Sequence, residues 1–219
     1  GTFTSSNARI NRIHTMSRYS FAGNIMSVFT DCPGREKLSY PADYTMPMGA
    51  IHRNFELDAF LRTTMRHLVE GQSIADTPMA GNVALKTPVY DWGYSGRFGD
   101  EINWGNAIVL VPDLLRRLYG DTTVMSAHYD RMVDFVDYIQ RQKVVDRYFV
   151  DAALADWVAA DQTSGRITGT WGYYLTIQAM ARMATLTGHT ADAGRYTRLA
   201  GEIRDAFNEA FFNETLGRY

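Results

Sequence analysis

Cysteine is nearly absent from this chain of 219 residues: Cys32 stands alone. A single thiol makes no internal disulfide, and no zinc-ligand spacing exists around it. It is expected to pack beneath its own loop. Charge of either sign is also lacking in excess. The 22 Lys and Arg against 24 Asp and Glu leave a net charge of −2, so there is no electrostatic case for nucleic acid or an anionic membrane as partner. No run reaches 18 apolar residues, so no segment reads as a membrane span. The opening stretch has neither the basic nor the apolar region of a signal peptide and reads as mid-protein, so the compartment is not legible. Gly93, Gly96 and Gly99 are spaced like a phosphate cradle, but no Lys-Ser/Thr follows and no strand-like run precedes them. His52 and His67 lie 15 apart without a carboxylate at zinc spacing, so neither a metal nor a cofactor is expected. No repeat occurs at solenoid periods.

What is present is helical periodicity in an ordinary globular composition, 46% hydrophobic and 21% charged. The length suits one domain with a real core. Ser6 or Asn7 is placed to cap a helix through about Phe29, with Ile10, Ile13, Met16 and Phe21 buried. Asp43 can cap a short helix to about Ile51, where Pro47 strains any longer run. Leu57, Phe60, Leu61, Met65 and Leu68 predict a helix ending near Gly71. Residues 72 to 103 lose the period and read as a long ordered loop rich in aromatics, Tyr90, Trp92, Tyr94 and Phe98 among them, suited to a lid or pocket wall.

A helix from about Asn106 to Tyr119 is stopped by Gly120. Asp121 opens another to about Lys143, with Met125, Tyr129, Met132, Val136 and Ile139 on one face. Tyr148 to Val150 reads as extended. Residues 168 to 187 are apolar on most sides, which predicts a helix buried all round. The last helix, about Ala191 to Phe212, is amphipathic, with Tyr196, Leu199, Ile203, Phe207 and Phe211 inward. About seven helices result, in a pattern that fits antiparallel hairpins in a double layer.

The chemistry concentrates in Thr30-Asp31-Cys32-Pro33-Gly34-Arg35-Glu36-Lys37-Leu38-Ser39-Tyr40-Pro41-Ala42-Asp43. Pro33 and Gly34 break regular structure, so three acids sit in an ordered loop between helices. Carboxylates so held suit general acid/base work. Read from local sequence alone, a charged surface turn with an Asp31–Arg35 or Glu36–Lys37 ion pair fits as well. The 13% of aromatics suits both sugar stacking and a plain core.

Thr-Asp-Cys-Pro-x-Arg-Glu-Lys-Leu resembles the signature of the bacterial α-L-rhamnosidases, inverting glycoside hydrolases of family 78. Phe3 to Asn7 with Asn11-Arg12-Ile13, Trp104-Gly105-Asn106-Ala107, Leu118-Tyr119-Gly120-Asp121, and Asp156-Trp157 followed by Thr170 to Tyr174 resemble further motifs of that family in the same order. The resemblance implies an all-α fold of the (α/α)6 barrel type, of which residues 1–219 form an N-terminal portion with no second domain. It implies a rhamnose-containing glycoside as substrate and the remainder of a parent chain as partner. Glu36 matches the general acid, a group that has to hold its proton at working pH. Asp31, Arg35, Tyr40, Asp43, Asp156 and Asn106 fall on substrate-binding positions, and Trp104 and Trp157 on the walls of the rhamnose pocket. Tyr40 replaces the family's usual Trp, and Asn106 its usual Asp. The Trp-Glu motif that carries the family's general base has no match here, so the isolated chain is expected to be inactive. A lyase acting at rhamnose–glucuronate linkages on the same fold, and a non-catalytic carbohydrate-binding helical module, remain as alternatives.

Overall fold

The computed structural model describes residues 1–74, 76–88 and 99–219. The described residues include ten helical segments, six of them 13 residues or longer, and one two-stranded hairpin. Tyr90, Trp92, Gly93, Tyr94, Gly96 and Phe98 of the expected lid lie outside the described residues.

Helix α1 spans Ala8–Asn24, and the Asn7 side chain accepts from the amides of Arg9 and Ile10. It ends five residues before the expected Phe29. The Thr30 amide and hydroxyl both bond back to Asn24, which folds 25–29 into a tight turn and buries Phe29. The burial expected of α1 is also corrected. Ile10, Ile13 and Met16 are 45%, 56% and 61% exposed, because no described element lies over that face. Of the four, only Phe21 packs against the core.

Two single turns follow, α2 (Ala42–Thr45) and α3 (Met48–Ile51), with Pro47 between them as the cap of the second. A proline lacks the N–H that a continuous helix would use there. Asp43 is therefore not an N-cap: Pro41 holds that place, and Asp43 lies in the first turn of α2. Helix α4 (Asp58–Glu70) buries Leu61, Met65 and Leu68, and Gly71 closes it as expected.

The single turn α5 (Ile102–Gly105) leads directly into α6 (Ala107–Tyr119), which ends at Gly120 with φ 72°, a left-handed value that glycine adopts without strain. The predicted helix over 121–143 is two helices, α7 (Thr123–Ala127) and α8 (Tyr129–Gln142), broken at His128. The apolar face survives the break, since Met125, Tyr129, Met132, Val136 and Ile139 are all buried. Strands β1 (Val144–Val145) and β2 (Phe149–Val150) pair antiparallel, with Val144 opposite Val150. Helices α9 (Gly165–Leu186) and α10 (Thr190–Phe211) form the largest hairpin. Helix α9 is not buried all round, because Trp171 and Leu186 are 41% and 52% exposed. Tyr196 and Ile203 of α10 are buried, and Leu199 packs with them against the core.

Helix α6 lies at the centre, with α4 on one side, α9 on another, and α8 touching both α6 and α9. One contiguous apolar cluster joins them. Asp113 of α6, almost wholly buried, ties this layer together: its carboxylate accepts from Arg116 at 2.9 Å and from Arg182 of α9 at 3.0 Å. Burial pushes its pKa up, but the hydrogen bonds from Arg182 and Arg116 outweigh that and hold it below the usual carboxylate value.

Helix α9 also meets other backbone at close range. A side-chain carbon on Gly169 would sit 2.4 Å from the Val150 carbonyl oxygen, and one on Gly165 2.3 Å from that of Ala152. Positions 165, 169 and 172 share one face of the helix, and that face admits the β2 segment and α5.

Candidate active site

The acidic loop closes on itself. Asp31 N donates to the Leu38 carbonyl at 3.0 Å, and the Asp31 carboxylate accepts from Leu38 N at 3.1 Å. Within this closure Lys37 N bonds to Cys32 O, and Glu36 N bonds to Cys32 Sγ at 3.1 Å. The lone cysteine therefore helps to hold the backbone of Glu36. Lys37 sits at φ 59°, a conformation that residues with a side chain rarely adopt. The Glu36 carboxylate accepts from Tyr40 Oη at 3.0 Å and pairs with the Arg35 guanidinium. Arg35 is exposed, Glu36 about three-quarters covered. The two local ion pairs weighed from the sequence, Asp31–Arg35 and Glu36–Lys37, are replaced by Arg35–Glu36.

Asp43 stands one turn of helix beyond this loop. Its pKa is pushed up to about 6, chiefly by the protein packed around the carboxyl, then by the charge of Asp31 and, more weakly, that of Glu36. Asp43 is nonetheless exposed to solvent, which moderates that field.

A recess of about 400 Å3 opens beside Asp43. Met46 and Pro47 flank Asp43, Trp104 and Asn103 enter from α5, and Asp156 and Trp157 face them from the loop after β2. Trp171 and Thr168 of α9 complete the wall. Four of the nine residues singled out from the sequence thus meet in one cavity: Asp43, Trp104, Asp156 and Trp157. Asp31, Arg35, Glu36 and Tyr40 form the adjoining loop and do not line the recess. Asn106 lines a neighbouring cavity of about 410 Å3 that shares Met46, Asn103 and Trp171 with the first. Its side chain is buried, and its Oδ1 has no hydrogen-bond partner among the described residues. A further cavity of about 470 Å3 lies between α9 and α10, lined by Trp171, Tyr174, Phe207 and Tyr219, and it contains no carboxylate.

Several residues of this region escaped the sequence reading. Trp171 was expected in the core and instead walls the recess. Asn103 is wedged against Gly172, where a side-chain carbon would meet its Oδ1 at 1.9 Å, and it donates to the Thr168 carbonyl at 3.2 Å. Glu101 is 2% exposed and accepts from Leu154 N at 3.0 Å and from Asn103 N at 3.4 Å. Burial pushes its pKa up, opposed by those two amides. The spacing of Gly165, Gly169 and Gly172 was a signal in the sequence for close approach to α9. Nothing in the sequence marked Glu101. Chain reversals bracket the aromatic wall: Ala155 at φ 50° precedes Asp156, and Val158 at φ 55° follows Trp157. Such strain concentrates at functional sites. Among the described residues no group of three or more His, Cys, Asp or Glu is placed to hold a metal ion.

The model of the bacterial α-L-rhamnosidase six-hairpin glycosidase domain matches residues 1–219. An α-L-rhamnosidase of Streptomyces avermitilis is 28% identical over 212 residues, covering 92% of this chain and 19% of that protein. One of Formosa agariphila is 23% identical over 223 residues, covering 97% of this chain and 23% of that protein. Among solved structures, the α-L-rhamnosidase of Dictyoglumus thermophilum superposes with a TM-score of 0.87 at 27% identity, over 97% of this chain and 24% of that one. The Streptomyces avermitilis α-L-rhamnosidase complexed with L-rhamnose superposes with a TM-score of 0.84 at 26% identity, over 97% of this chain and 20% of that one. The chain therefore spans about a quarter or less of the length of these relatives. With a family match along all of its residues, the chain belongs to the six-hairpin glycosidase domain family of the bacterial α-L-rhamnosidases.

Proposed function

We propose that the protein containing this chain hydrolyses terminal α-L-rhamnosides with inversion, and that residues 1–219 supply the acid side of its site within a single catalytic domain. The observation that carries the reading is the recess itself. Two indoles, Trp104 and Trp157, face it together with two carboxyls, Asp43 and Asp156, next to the loop that holds Glu36. Indole faces cover the apolar surface of a sugar, and carboxylates accept hydrogen bonds from its hydroxyls. The names of the relatives, one of them complexed with L-rhamnose, support the substrate class.

In this reading Glu36 protonates the departing glycosidic oxygen. Its carboxylate is engaged by Arg35 and Tyr40. Arg35 is largely exposed, so it can swing away when a glycoside enters. Asp31 and Asp43 hold hydroxyls, while Asn106 and Tyr40 tune the site. Inversion requires a second carboxylate roughly 6.5–9.5 Å from the acid to activate water. We assign it to the remainder of the parent polypeptide.

A second reading has one observation in its favour. Asp43, with its pKa near 6, is itself a carboxyl suited to carry a proton into the recess. Two variants of the full-length protein separate the readings. Glu36→Gln is expected to lower hydrolysis of an alkyl rhamnoside by about 10²–10⁴-fold, while an aryl rhamnoside with an activated leaving group, which needs no proton, retains much of its rate. Asp43→Asn is expected to impair both substrates alike. The reverse pattern assigns the proton to Asp43, and equal loss on both substrates in both variants removes each of them as the donor.

A further inference from the structure

We propose that Glu101 is a positioning residue that sets the separation between the Trp104 wall and the Asp156–Trp157 wall of the recess; this rests on the hydrolase reading above. Its two carboxylate oxygens are divided between two segments of chain. Oε1 accepts from Asn103 N, in the turn of α5 that carries Trp104. Oε2 accepts from Leu154 N at 3.0 Å, 53 residues away in sequence. One buried side chain thus joins the backbones that present the two facing indoles.

The second of those bonds sits at a demanding place. Leu154 is followed by Ala155 at φ 50°, then Asp156 and Trp157, then Val158 at φ 55°. A reversal through two side-chain-bearing residues in the left-handed region persists only where the surroundings over-determine it. Among the bonds that hold it are those from Leu154 N to Glu101, from Ala152 N to the Gly165 carbonyl, and, within the reversal, from Ala155 N to the Ala152 carbonyl and from Ala159 N to the Asp156 carbonyl.

A plain helix cap does not require this residue. Capping α5 uses one oxygen, and Asp, Ser or Thr perform that task better than Glu. The extra methylene of Glu supplies the reach to Leu154. Burying the carboxylate carries a desolvation cost that a cap at an exposed turn would avoid.

Three measurements on the full-length protein test the assignment. Glu101→Asp keeps a capping carboxylate and loses the reach. Glu101→Gln keeps the length, but its amide nitrogen must face one of the two N–H groups. Each variant is expected to speed hydrogen exchange at the Leu154 amide by about tenfold or more. Each is expected to raise KM for an aryl α-L-rhamnoside about fivefold or more and to change kcat by less than about threefold, because the walls hold ground state and transition state alike. In a Trp157→Ala background the further effect of Glu101→Gln on KM is expected to fall below about twofold, since the wall it positions is already gone.

A Glu101→Asp variant with wild-type KM and wild-type protection at Leu154 overturns the proposal and leaves a cap. Loss of thermal stability with unchanged KM overturns it as well, as does a KM effect undiminished by Trp157→Ala. If the unmodified protein neither binds nor cleaves rhamnosides, the hydrolase reading fails, and exchange at Leu154 in the two variants still decides whether Glu101 holds the wall.

Discussion

Asp43 and the two indoles are the residues whose surroundings most clearly determine their behaviour. A carboxyl with a pKa near 6 in the folded protein and about 4 in the unfolded chain binds more protons when folded between those values. Its contribution to stability is therefore lost as pH rises through about 4 to 6. Replacing it by Asn removes that loss. Asp43→Asn is expected to melt with the wild type below about pH 4 and about 1–2 °C above it at pH 7.5, the gap being small because the residue is exposed and solvent screens its charge. A variant that melts below the wild type at pH 7.5, the two converging toward acid, would show that Asp43 is stabilised as an anion. Trp157 is 53% exposed and Trp104 only partly, so truncating the first costs little packing. Trp157→Ala in the full-length protein is expected to weaken L-rhamnose about tenfold in titration while leaving the melting temperature within about 2 °C. Trp104→Ala is expected to weaken rhamnose similarly with a larger loss of stability. Unfolding of either variant with no change of affinity in the folded fraction would return that indole to the core.

Among elements, the contact of α6 with α9 is the one on which the recess depends, because α6 continues from the turn bearing Trp104 and α9 carries Trp171. Asp113 of α6 makes an ion pair across that contact with Arg182 of α9, while Arg116 pairs with it from within α6. Its depressed pKa means that the stabilisation is full above the unfolded value and is lost as pH falls through the folded one. Asp113→Ala is expected to cost about 1–3 kcal/mol in urea unfolding at pH 7, below the range for wholly buried pairs because the arginines can rehydrate. The same comparison well below pH 4 is expected to shrink the difference. A pH-independent cost would mean that packing, not charge, carries the role of Asp113. The glycine face of α9 belongs to this scale too. Ile10, Ile13 and Met16 show the converse case, an apolar stripe at helical spacing with no described element to cover it.

At the scale of the whole molecule, the exposed stripe of α1, with Tyr19 76% exposed, and the open sides of Trp171 and Leu186 leave much apolar surface bare. Exposed apolar patches beyond a few hundred Å2 seek partners. Expressed alone, the 219-residue chain is expected to associate or aggregate in size-exclusion chromatography and to leave an aryl rhamnoside uncleaved. A clean monomer with cooperative unfolding would show that the stripe is tolerated in water. Turnover would place a general base within these residues, with Asp156 and Asp161 the first to mutate.

Helix existence, the stops at Gly71 and Gly120, the Asn7 cap and the acidic loop were legible in the sequence, because each rests on local sterics or on apolar spacing along one segment. The broken α7–α8 face was legible as a face and not as two helices, since periodicity records burial and not continuity. The motifs likewise brought Asp43, Trp104, Asp156 and Trp157 forward, and those four do meet in one recess. Which apolar stripe is covered could not be read from spacing, because burial is set by what lies opposite: α9 has α10 and α6 against it, while α1 leaves Ile13 in water. Nor could Glu101. Its partner lies 53 residues away, and a carboxylate becomes a brace only when the fold removes it from solvent and brings two amides to its oxygens. The shift on Asp43 has the same origin, since packed protein and the charges of Asp31 and Glu36 act through space that only the folded chain defines.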